Sequence, residues 1–473
     1  MSHNNSPKDN PTLGTFSLTM ISISALIGLR NLPTFAVNGL SSVFFLLVAA
    51  LLFFIPVALV CAELASGWPK QGGIYAWVKE AFGEKSGALV IWVEWIGGGV
   101  AFLPLVLSFI AATLAYGIAP ELAHNRVFLL TVMLTALWAG TFVNFLGMRT
   151  SELLSSVGMI LGSLIPGIVI IALGIGWLIA DDMHHPIQIT FHYTHILPDF
   201  SLQTLVYFTS IILSFGGIEV AGFYIQDTKD PKKTFPKAMF IAAFTIIAIY
   251  TLGALAIAMV VPKNDITLHA GLMQAVTLFF EALGLPWATK VFAGFTVIGA
   301  LALLNTWIIG PSNGLLVSAL QDDLPAITKR TNKAGAPVAI LLIQAFLVSI
   351  LAFMFLFLPS ISSIYFMFSM LAVQLILIMY FMIFISAIRL RYTQPHTPRL
   401  YQIPGGKIGI WLVCGVGALT CVIAFFLGFV PPKEFDFGNT QTYVWTLISG
   451  LVLFSTPPFI CQYLKNKKAK YVK

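Results

Sequence analysis

Long apolar stretches, separated by short polar segments, run along almost the whole chain. An apolar stretch of about 18 residues or more can cross a hydrocarbon layer of about 30 Å as a helix. Twelve stretches satisfy this condition, with approximate limits of 13–38, 40–64, 86–117, 126–147, 152–180, 200–226, 235–261, 286–320, 337–358, 361–389, 407–430 and 441–464. The pattern therefore predicts an all-α polytopic membrane protein with twelve transmembrane helices.

Two of the predicted spans are interrupted by residues that break helices. The first contains Gly28 and Pro33, and the sixth contains the segment 214–219, which reads Ser-Phe-Gly-Gly-Ile-Glu. Irregular backbone at membrane depth is tolerated only where it lines a cavity or is buried in protein. Interrupted spans in corresponding positions of two halves of a chain are typical of secondary transporters, with the substrate site between them.

The positions of the two interruptions also predict an internal repeat. Spans one to five and spans six to ten each begin with a broken helix, and because five is odd, the two units must cross the membrane in opposite directions. This arrangement is a 5+5 inverted repeat followed by two further spans. The predicted organisation is a single transporter domain at 13–464, with repeats at about 13–180 and 200–389, extra helices at 407–464, and short tails at 1–12 and 465–473.

Composition and charge exclude an ordinary soluble domain and predict the topology. The 473 residues are 58% hydrophobic and 10% charged, with a mean hydropathy of +0.90, whereas soluble domains carry about 25% charged residues. The first apolar run is too long and too interrupted for a removable signal peptide. With both termini in the cytoplasm, 21 of the 26 lysines and arginines face the cytoplasm and four face outside. This asymmetry predicts a multi-pass protein of the cell (inner) membrane with cytoplasmic termini.

The net charge of +7 does not indicate a nucleic-acid partner. The basic residues lie in short loops beside apolar spans and build no contiguous domain, so they are topology signals that face the headgroups of the lipid bilayer. The expected partners are the bilayer and small molecules. The sequence leaves open whether the protein is a monomer or a homodimer.

The two interruptions offer complementary backbone groups for a substrate. In the first span, free N–H groups and a helix amino terminus would suit a carboxylate. In the sixth span, free carbonyl groups would suit an ammonium group. The candidate residues are Ser24, Ala25, Leu26, Ile27 and Gly28 in the first span, and Ser214, Phe215, Gly216 and Gly217 in the sixth. Together they could hold a zwitterionic amino acid; the alternative is that these glycines only allow close helix packing.

Three ionisable residues lie at membrane depth, where a charge is costly and usually functional. Arg30 and Glu219 adjoin the two interruptions, and Glu94 lies in the third span between two tryptophans. These residues are candidates for setting the local charge, for gating or for carrying a proton. For Glu94 the sequence leaves three alternatives open: a salt bridge with Arg30, proton transfer, or a structural carboxyl group near the cytoplasmic interface.

The remaining motifs have weaker interpretations. The segment 310–314 matches the G-x-S-x-G pattern of a hydrolase nucleophile, but that pattern requires a strand, a sharp turn and a helix, and here it falls in a predicted span. Gly158 and Gly162 form a helix-packing pattern. A predicted external loop rich in histidine and aspartate could bind a metal, although a solvated loop is the simpler interpretation; its residues are Asp181, Asp182, His184, His185, His192 and His195. We predict no catalytic residue, metal or cofactor.

Several motifs resemble those of the amino acid/polyamine/organocation transporters. The general signatures are Ala62-Glu63-Leu64-Ala65, Pro69-x-x-Gly72-Gly73-Ile74-Tyr75-Ala76-Trp77-Val78, the break at 215–219, and Asp227-x-x-Asp230-Pro231-Lys232-Lys233-x-x-Pro236-Lys237-Ala238. Four further segments are most similar to the bacterial glutamate/GABA antiporters of that family, namely 31–36, 54–57, 307–312 and 403–407. The resemblance runs from about residue 12 to 464. It implies a LeuT-type fold and sodium-independent exchange of amino acids or their decarboxylation products, with Trp307 as an aromatic wall or gate.

The chain departs from those antiporters at positions that bear on its substrate. They carry a glutamate at the position of Leu303 and a tyrosine at the position of Arg30, so this cavity should be more positive. This change could favour an acidic substrate or be neutralised by Glu94. Proton-coupled relatives resembling this fold have a lysine in the fifth span, where this chain has no ionisable residue between positions 152 and 181. Because the chain ends nine residues after the last predicted span, we also expect no carboxy-terminal plug.

We therefore predict a secondary active amino acid transporter, not an enzyme, that exchanges an amino acid for a related amino acid or amine by alternating access. The first alternative is a proton-coupled amino acid symporter. A solute channel is a further alternative, but it would require a continuous polar lining, and the spans carry only isolated charges.

Overall fold

The computed structural model describes residues 13–70, 72–146, 157–179, 187–189, 195–219, 228–357, 360–434, 437, 439–461 and 463. Over these residues the regular structure is helical, apart from one isolated bridge between Leu13 and Thr228. The helices are α1 Thr15–Leu26, α2 Leu32–Ala36, α3 Ser41–Gly67, α4 Ile74–Phe82, α5 Glu84–Ile118, α6 Arg126–Asn144, α7 Val157–Ile179, α8 Leu202–Leu213, α9 Pro231–Val260, α10 Gly271–Ala282, α11 Pro286–Leu320, α12 Val338–Phe357, α13 Ile361–Thr393, α14 Gly406–Leu427 and α15 Thr440–Cys461.

Ten of these helices are long and apolar enough to cross a membrane, namely α3, α5, α6, α7, α9, α11, α12, α13, α14 and α15. They correspond to ten of the twelve predicted spans. The first and sixth predicted spans instead contain the shorter helices α1 and α8, each followed by irregular backbone. The sequence did not predict α4 and α10, because both are shorter than a membrane span. Residues 147–156 and 220–227, which include parts of the fifth and sixth predicted spans, lie outside the described residues.

Local sequence sets where several helices begin. Proline opens α9 at Pro231 and α11 at Pro286, where its missing N–H costs nothing and its fixed φ suits the first turn. The side chain of Asn125 accepts hydrogen bonds from the N–H groups of Val127 and Phe128 at the start of α6. These caps satisfy amide groups that a helix leaves without internal partners.

The helices differ greatly in burial, which places them relative to the core. Of the most apolar part of α5, 94% is buried, compared with 72% for α13 and 17% for α15. Helix α5 packs against α11, and α13 packs against α14. Large side chains on the outer helices are exposed, such as Phe240 and Phe244 of α9. Because lipid is as apolar as these side chains, such an exterior is what a membrane protein requires.

Small residues bring α7 and α11 into close contact. A Cβ atom at Gly162 would lie 2.0 Å from the backbone nitrogen of Gly299, and one at Gly158 would lie 2.7 Å from the Cβ of Ala302. Only glycine can occupy the first position at this separation, since the two backbones touch. The prediction that Gly158 and Gly162 form a helix-packing pattern is confirmed.

A buried ion cluster joins α3 to the end of α13 and to the loop that follows it. Two of the three guanidinium nitrogens of Arg391, Nε and Nη2, donate hydrogen bonds to the carboxylate of Glu63. Arg399 places its Nε 3.5 Å from the same carboxylate, which also accepts the N–H of Ile403 at 2.8 Å. Since all three charged side chains are buried, the cluster fixes these three segments to one another.

Candidate functional site

The first helix break occurs at Ile27 and Gly28. Helix α1 ends at Leu26, and a short 3₁₀ turn at Leu29–Asn31 leads into α2. The hydroxyl of Tyr250 accepts hydrogen bonds from Gly28 N–H at 3.1 Å and from Asn31 Nδ2 at 3.2 Å, and donates to the carbonyl of Leu26 at 2.7 Å. One hydroxyl has one donor and two acceptor sites. A single side chain of α9 therefore satisfies the interrupted backbone.

This geometry corrects the sequence-based expectation for the first break. Ser24, Ala25 and Leu26 belong to α1, so their amide groups are within a helix rather than free. The N–H of Ile27 donates to the carbonyl of Ile23 at 2.9 Å. The first residues of a helical turn lack internal acceptors for their amide groups, so the candidate amide groups for a carboxylate are those at the start of the Leu29–Asn31 turn.

The second helix break follows α8, which ends at Leu213. Residues 214–218 form turns, and Gly217 has a φ of +108°, which favours glycine. The N–H of Gly217 donates both to the hydroxyl of Tyr380 and to Oε2 of Glu219, each at 3.1 Å. Tyr380 in turn donates to Glu219 at 2.5 Å. The second break is thus also held by one tyrosine, here from α13.

A small cavity lies between the two breaks. It has about 20 Å³ of free space, room for about one water molecule. The lining residues are Leu26, Gly28, Arg30, Asn31, Phe102, Leu213, Ser214, Gly216, Leu303, Trp307 and Ile376. Seven of the residues named from the sequence are therefore brought together here, namely Leu26, Gly28, Arg30, Ser214, Gly216, Leu303 and Trp307. The structure is closed around this space, so a substrate requires the helices to move.

The other residues named from the sequence do not line the cavity. Ile27, Phe215 and Gly217 lie at the breaks, and Ser24 and Ala25 lie in α1, where only their backbone is described. Glu219 is buried against Tyr380, and it supports the second break rather than facing the free space.

Arg30 lines the cavity, and among the described residues it has no carboxylate partner. Its side chain is 4% exposed. Its Nη1 donates to the hydroxyl of Tyr365 at 3.3 Å, its guanidinium carbon lies 4.3 Å from the centre of the Phe102 ring, and its Nε has no hydrogen-bond partner. Over the part of the chain that the structure describes, no acidic oxygen lies within 4.0 Å of this guanidinium. The alternative of an Arg30–Glu94 salt bridge is therefore wrong for this conformation.

Glu94 lies between α5 and α11. It is the last residue before a π-helical turn at Trp95–Ala101, and it is partly exposed. Its Oε2 would be 3.9 Å from a Cβ atom built at Gly314 of α11. This carboxylate is thus placed beside the helix that carries Trp307 and Leu303, but it does not line the cavity.

An aromatic wall closes one side of the cavity. The rings of Phe102 and Trp307 have their centres 4.9 Å apart, so Phe102 contacts both Trp307 and the guanidinium of Arg30. The Trp307 ring lies directly against Gly98 in the π-helical turn. The absence of a side chain at Gly98 therefore makes room for the ring.

The groups that hold the breaks and surround Arg30 were not predicted as site residues from the sequence, namely Asn31, Phe102, Tyr250, Tyr365 and Tyr380. The three tyrosines lie in predicted spans, and a buried tyrosine hydroxyl usually finds a hydrogen-bond partner. That rule could have marked them as polar groups inside the bundle. It could not have shown which backbone they reach, because the partners are more than 100 residues away along the chain.

The G-x-S-x-G segment does not form a hydrolase site in the described residues. Residues 310–314 lie inside α11, so the strand and sharp turn of a hydrolase nucleophile are not present there. Ser312 is buried and donates to Ile308 O and Gln344 Oε1. Of the predicted metal-binding loop only His195 is among the described residues.

Comparison with known proteins places the chain in a transporter family. The family described as amino acid permease matches residues 13–454. An uncharacterised transporter of Legionella pneumophila is 43% identical over 95% of this chain and 96% of its own length. A glutamate/gamma-aminobutyrate antiporter of Lactococcus lactis is 32% identical, covering 96% of this chain and 90% of its own. A probable agmatine/putrescine antiporter of the same species is 25% identical, covering 85% and 84%.

These matches cover nearly the whole chain, as the sequence resemblance did, and they confirm that resemblance. The multi-pass helical structure agrees with them. The chain belongs to the amino acid permease family.

Proposed function

We propose that the chain is a sodium-independent amino acid antiporter that works by alternating access, and not an enzyme. The single observation that carries this proposal is that both helix breaks line one enclosed cavity, through Gly28 on one side and Ser214 and Gly216 on the other. Amide groups of the first break would hold the carboxylate of an amino acid, and carbonyl groups of the second would hold its ammonium group. The antiporters among its relatives support exchange as the mode of transport.

The proposed architecture is a LeuT-type fold with twelve spans. The ten continuous helices, together with the broken helices that begin at Thr15 and Leu202, would supply that number. Residues 13–180 and 200–389 would form the inverted repeats, with two appended spans at 407–464. The distribution of basic residues favours cytoplasmic termini in the cell (inner) membrane.

Trp307 and the charged residues have distinct proposed roles. The Trp307 ring would act as a wall or gate, because it must move for the cavity to enlarge. Arg30 would set the charge of the cavity, and Glu219 would support the second break. Glu94, beside α11, would set the local charge, take part in gating or carry a proton.

Counterflow in liposomes tests the proposal. An exchanger loaded inside with an unlabelled amino acid accelerates the uptake of the labelled one, whereas a channel shows no such stimulation. A Cβ atom at Gly28 would make only ordinary contacts, at 3.6 Å or more, but a larger side chain would fill the cavity. We therefore expect Gly28→Leu to abolish counterflow and Gly28→Ala to retain it, with both variants inserted in the membrane. Full counterflow by Gly28→Leu would refute the site.

Proton-coupled symport is the second candidate function, favoured by one observation. Glu94 is a partly exposed carboxylate beside α11 and has no ion-pair partner among the described residues. A proton gradient imposed on liposomes without internal amino acid distinguishes the two functions. Accumulation that is lost in Glu94→Gln would favour symport, whereas uptake that requires internal amino acid would favour exchange.

A further inference from the structure

The positive charge of Arg30 is not neutralised by any acidic side chain among the described residues. Burying an unpaired charge is costly, and buried charges are normally paired with an opposite charge. Arg30 is 4% exposed, yet its neighbours are the neutral Tyr365 hydroxyl and the ring of Phe102, and its Nε has no hydrogen-bond partner. An opposite charge at this cavity would therefore be strongly favourable.

The two acidic residues named above beside the breaks and α11, Glu219 and Glu94, have other positions in the structure. The Oε2 of Glu219 accepts hydrogen bonds from Tyr380 and Gly217. Glu94 lies against α11 at Gly314 and does not line the cavity. Leu303 lines the cavity together with Arg30, but its side chain is apolar. No described side chain that lines the cavity carries a negative charge, so the counter-charge has to arrive with the ligand.

We propose that Arg30 makes the cavity selective for amino acids with a net negative charge, and that it does so for both partners of the exchange. This inference rests on the proposed transport function. The two helix breaks already offer groups for one carboxylate and one ammonium group, so a neutral zwitterion would leave the guanidinium without a counter-charge. A second carboxylate neutralises it.

The uncompensated charge of Arg30 also restricts the exchange partner. An acidic amino acid that has lost one carboxyl group by decarboxylation is neutral or positive. Such a compound would leave Arg30 without a counter-charge. The conformational change of the carrier loaded with such a compound would then be as unfavourable as that of the empty carrier, in which the guanidinium of Arg30 is buried without a counter-charge. The exchanger should therefore swap one acidic amino acid for another, without net movement of charge.

Trans-stimulation in proteoliposomes tests this selectivity. Uptake of labelled L-glutamate is measured into vesicles loaded with L-aspartate, L-glutamine or 4-aminobutyrate. We expect L-aspartate to stimulate uptake at least about tenfold more than the two neutral compounds. We also expect a potassium diffusion potential to leave the glutamate/aspartate exchange unchanged. Equal stimulation by L-glutamine or 4-aminobutyrate, or an exchange that follows the potential, would overturn the inference.

Substitutions at Arg30 test its role directly. Removing one partner of a buried charge pair weakens binding strongly, so Arg30→Gln should raise the half-saturating concentration of L-glutamate by about 30-fold or more. Arg30→Lys, which keeps the charge, should recover much of this loss. The half-saturating concentration of L-glutamine should not rise in Arg30→Gln. Unchanged saturation by L-glutamate in Arg30→Gln would overturn the inference.

A second pair of variants leaves Arg30 in place. Leu303 and Arg30 both come within 3.9 Å of a Cβ atom built at Gly28, so a carboxylate at position 303 would supply the missing counter-charge. Leu303→Glu should shift the preferred stimulating compound from L-aspartate to a neutral amino acid. Its uncharged isostere, Leu303→Gln, should keep the preference for L-aspartate. The same preference in both variants would contradict the charge argument.

The outcome also separates this inference from the proposed function. Preferential exchange of neutral amino acids would overturn the selectivity of Arg30 and leave the antiporter proposal intact. The absence of trans-stimulated exchange with every compound, in a preparation that binds L-glutamate, would overturn the antiporter proposal and this inference with it.

Discussion

The ring of Trp307 lies directly on the backbone of Gly98, where a Cβ atom would come within 2.4 Å of Cζ3 of the ring. Real Cβ atoms do not approach another atom this closely, so any side chain at position 98 must displace the ring. The ring also contacts Phe102, which in turn contacts Arg30. The position of Gly98 therefore determines the shape of the aromatic wall beside the cavity.

We predict that Gly98→Ala lowers the rate of exchange by about tenfold or more. The added methyl group would overpack the Trp307 ring, at a cost of about 1–3 kcal/mol, and this ring belongs to the wall that is proposed to move during transport. Initial rates of counterflow in liposomes measure the effect. Gly117→Ala is the matched control, since it lies in the same helix and its Cβ would meet Ala293 at an ordinary 3.5 Å. Equal rates for the two variants would show that Trp307 does not limit transport.

The hydroxyl of Tyr250 makes three hydrogen bonds at the first break, and its loss should destabilise the protein. Tyr250→Phe leaves Gly28 N–H and the Leu26 carbonyl without a partner, at a cost of about 1–3 kcal/mol for buried polar groups. We expect a lower melting temperature in detergent and slower exchange.

Tyr116→Phe provides the control for Tyr250→Phe. The Tyr116 side chain is partly buried in α5, and none of the hydrogen bonds described above involves it. Its substitution should change stability by no more than about 0.5 kcal/mol. If Tyr250→Phe melted at the same temperature as Tyr116→Phe, water would have to replace the hydroxyl at the break.

The limits of sequence-based prediction are clear at the two breaks. Hydropathy predicted α11 within its observed limits, Pro286–Leu320, because period and composition are local properties. The breaks were also placed correctly in the first and sixth spans, since glycine at membrane depth is a local signal. The expectation of free amide groups at 24–26 was wrong, because the helix continues to Leu26, whose carbonyl accepts a hydrogen bond from the hydroxyl of Tyr250.

The environment of Arg30 also could not be predicted from the sequence. From the sequence, a salt bridge with Glu94 of the third predicted span was one of three alternatives. Which side chains meet depends on how the helices rotate and pack, and these contacts join segments far apart in the chain. Tyr365, for example, is 335 positions away from Arg30. Sequence patterns carry no direct information about such contacts.

The buried cluster of Glu63, Arg391 and Arg399 should be essential for stability. Glu63→Gln leaves two buried guanidinium groups without a counter-charge, and removing one partner of a buried pair costs about 3–5 kcal/mol. The control is Glu80→Gln, because Glu80 pairs with the largely exposed Lys70 and such pairs contribute about 1 kcal/mol or less. Melting temperatures of the two purified variants should differ clearly. Similar values would mean that the cluster adds little to stability.

Burial outside the spanning helices predicts a dependence of stability on pH. Burial lowers the pKa of His269, in the segment before α10, from its ordinary 6.5 to about 4. The unfolded chain therefore binds a proton below pH 6.5 that the folded protein does not bind until about pH 4, so stability must fall as the pH falls through this interval. At pH 5 the loss amounts to about 2 kcal/mol. Between pH 6.5 and 4.5 we expect the melting temperature of His269→Gln to fall less with pH than that of the parent protein. Substitution of the exposed His396 should leave the pH dependence of the melting temperature unchanged. A slope that is the same for His269→Gln and the parent would mean that water reaches this imidazole in the folded state.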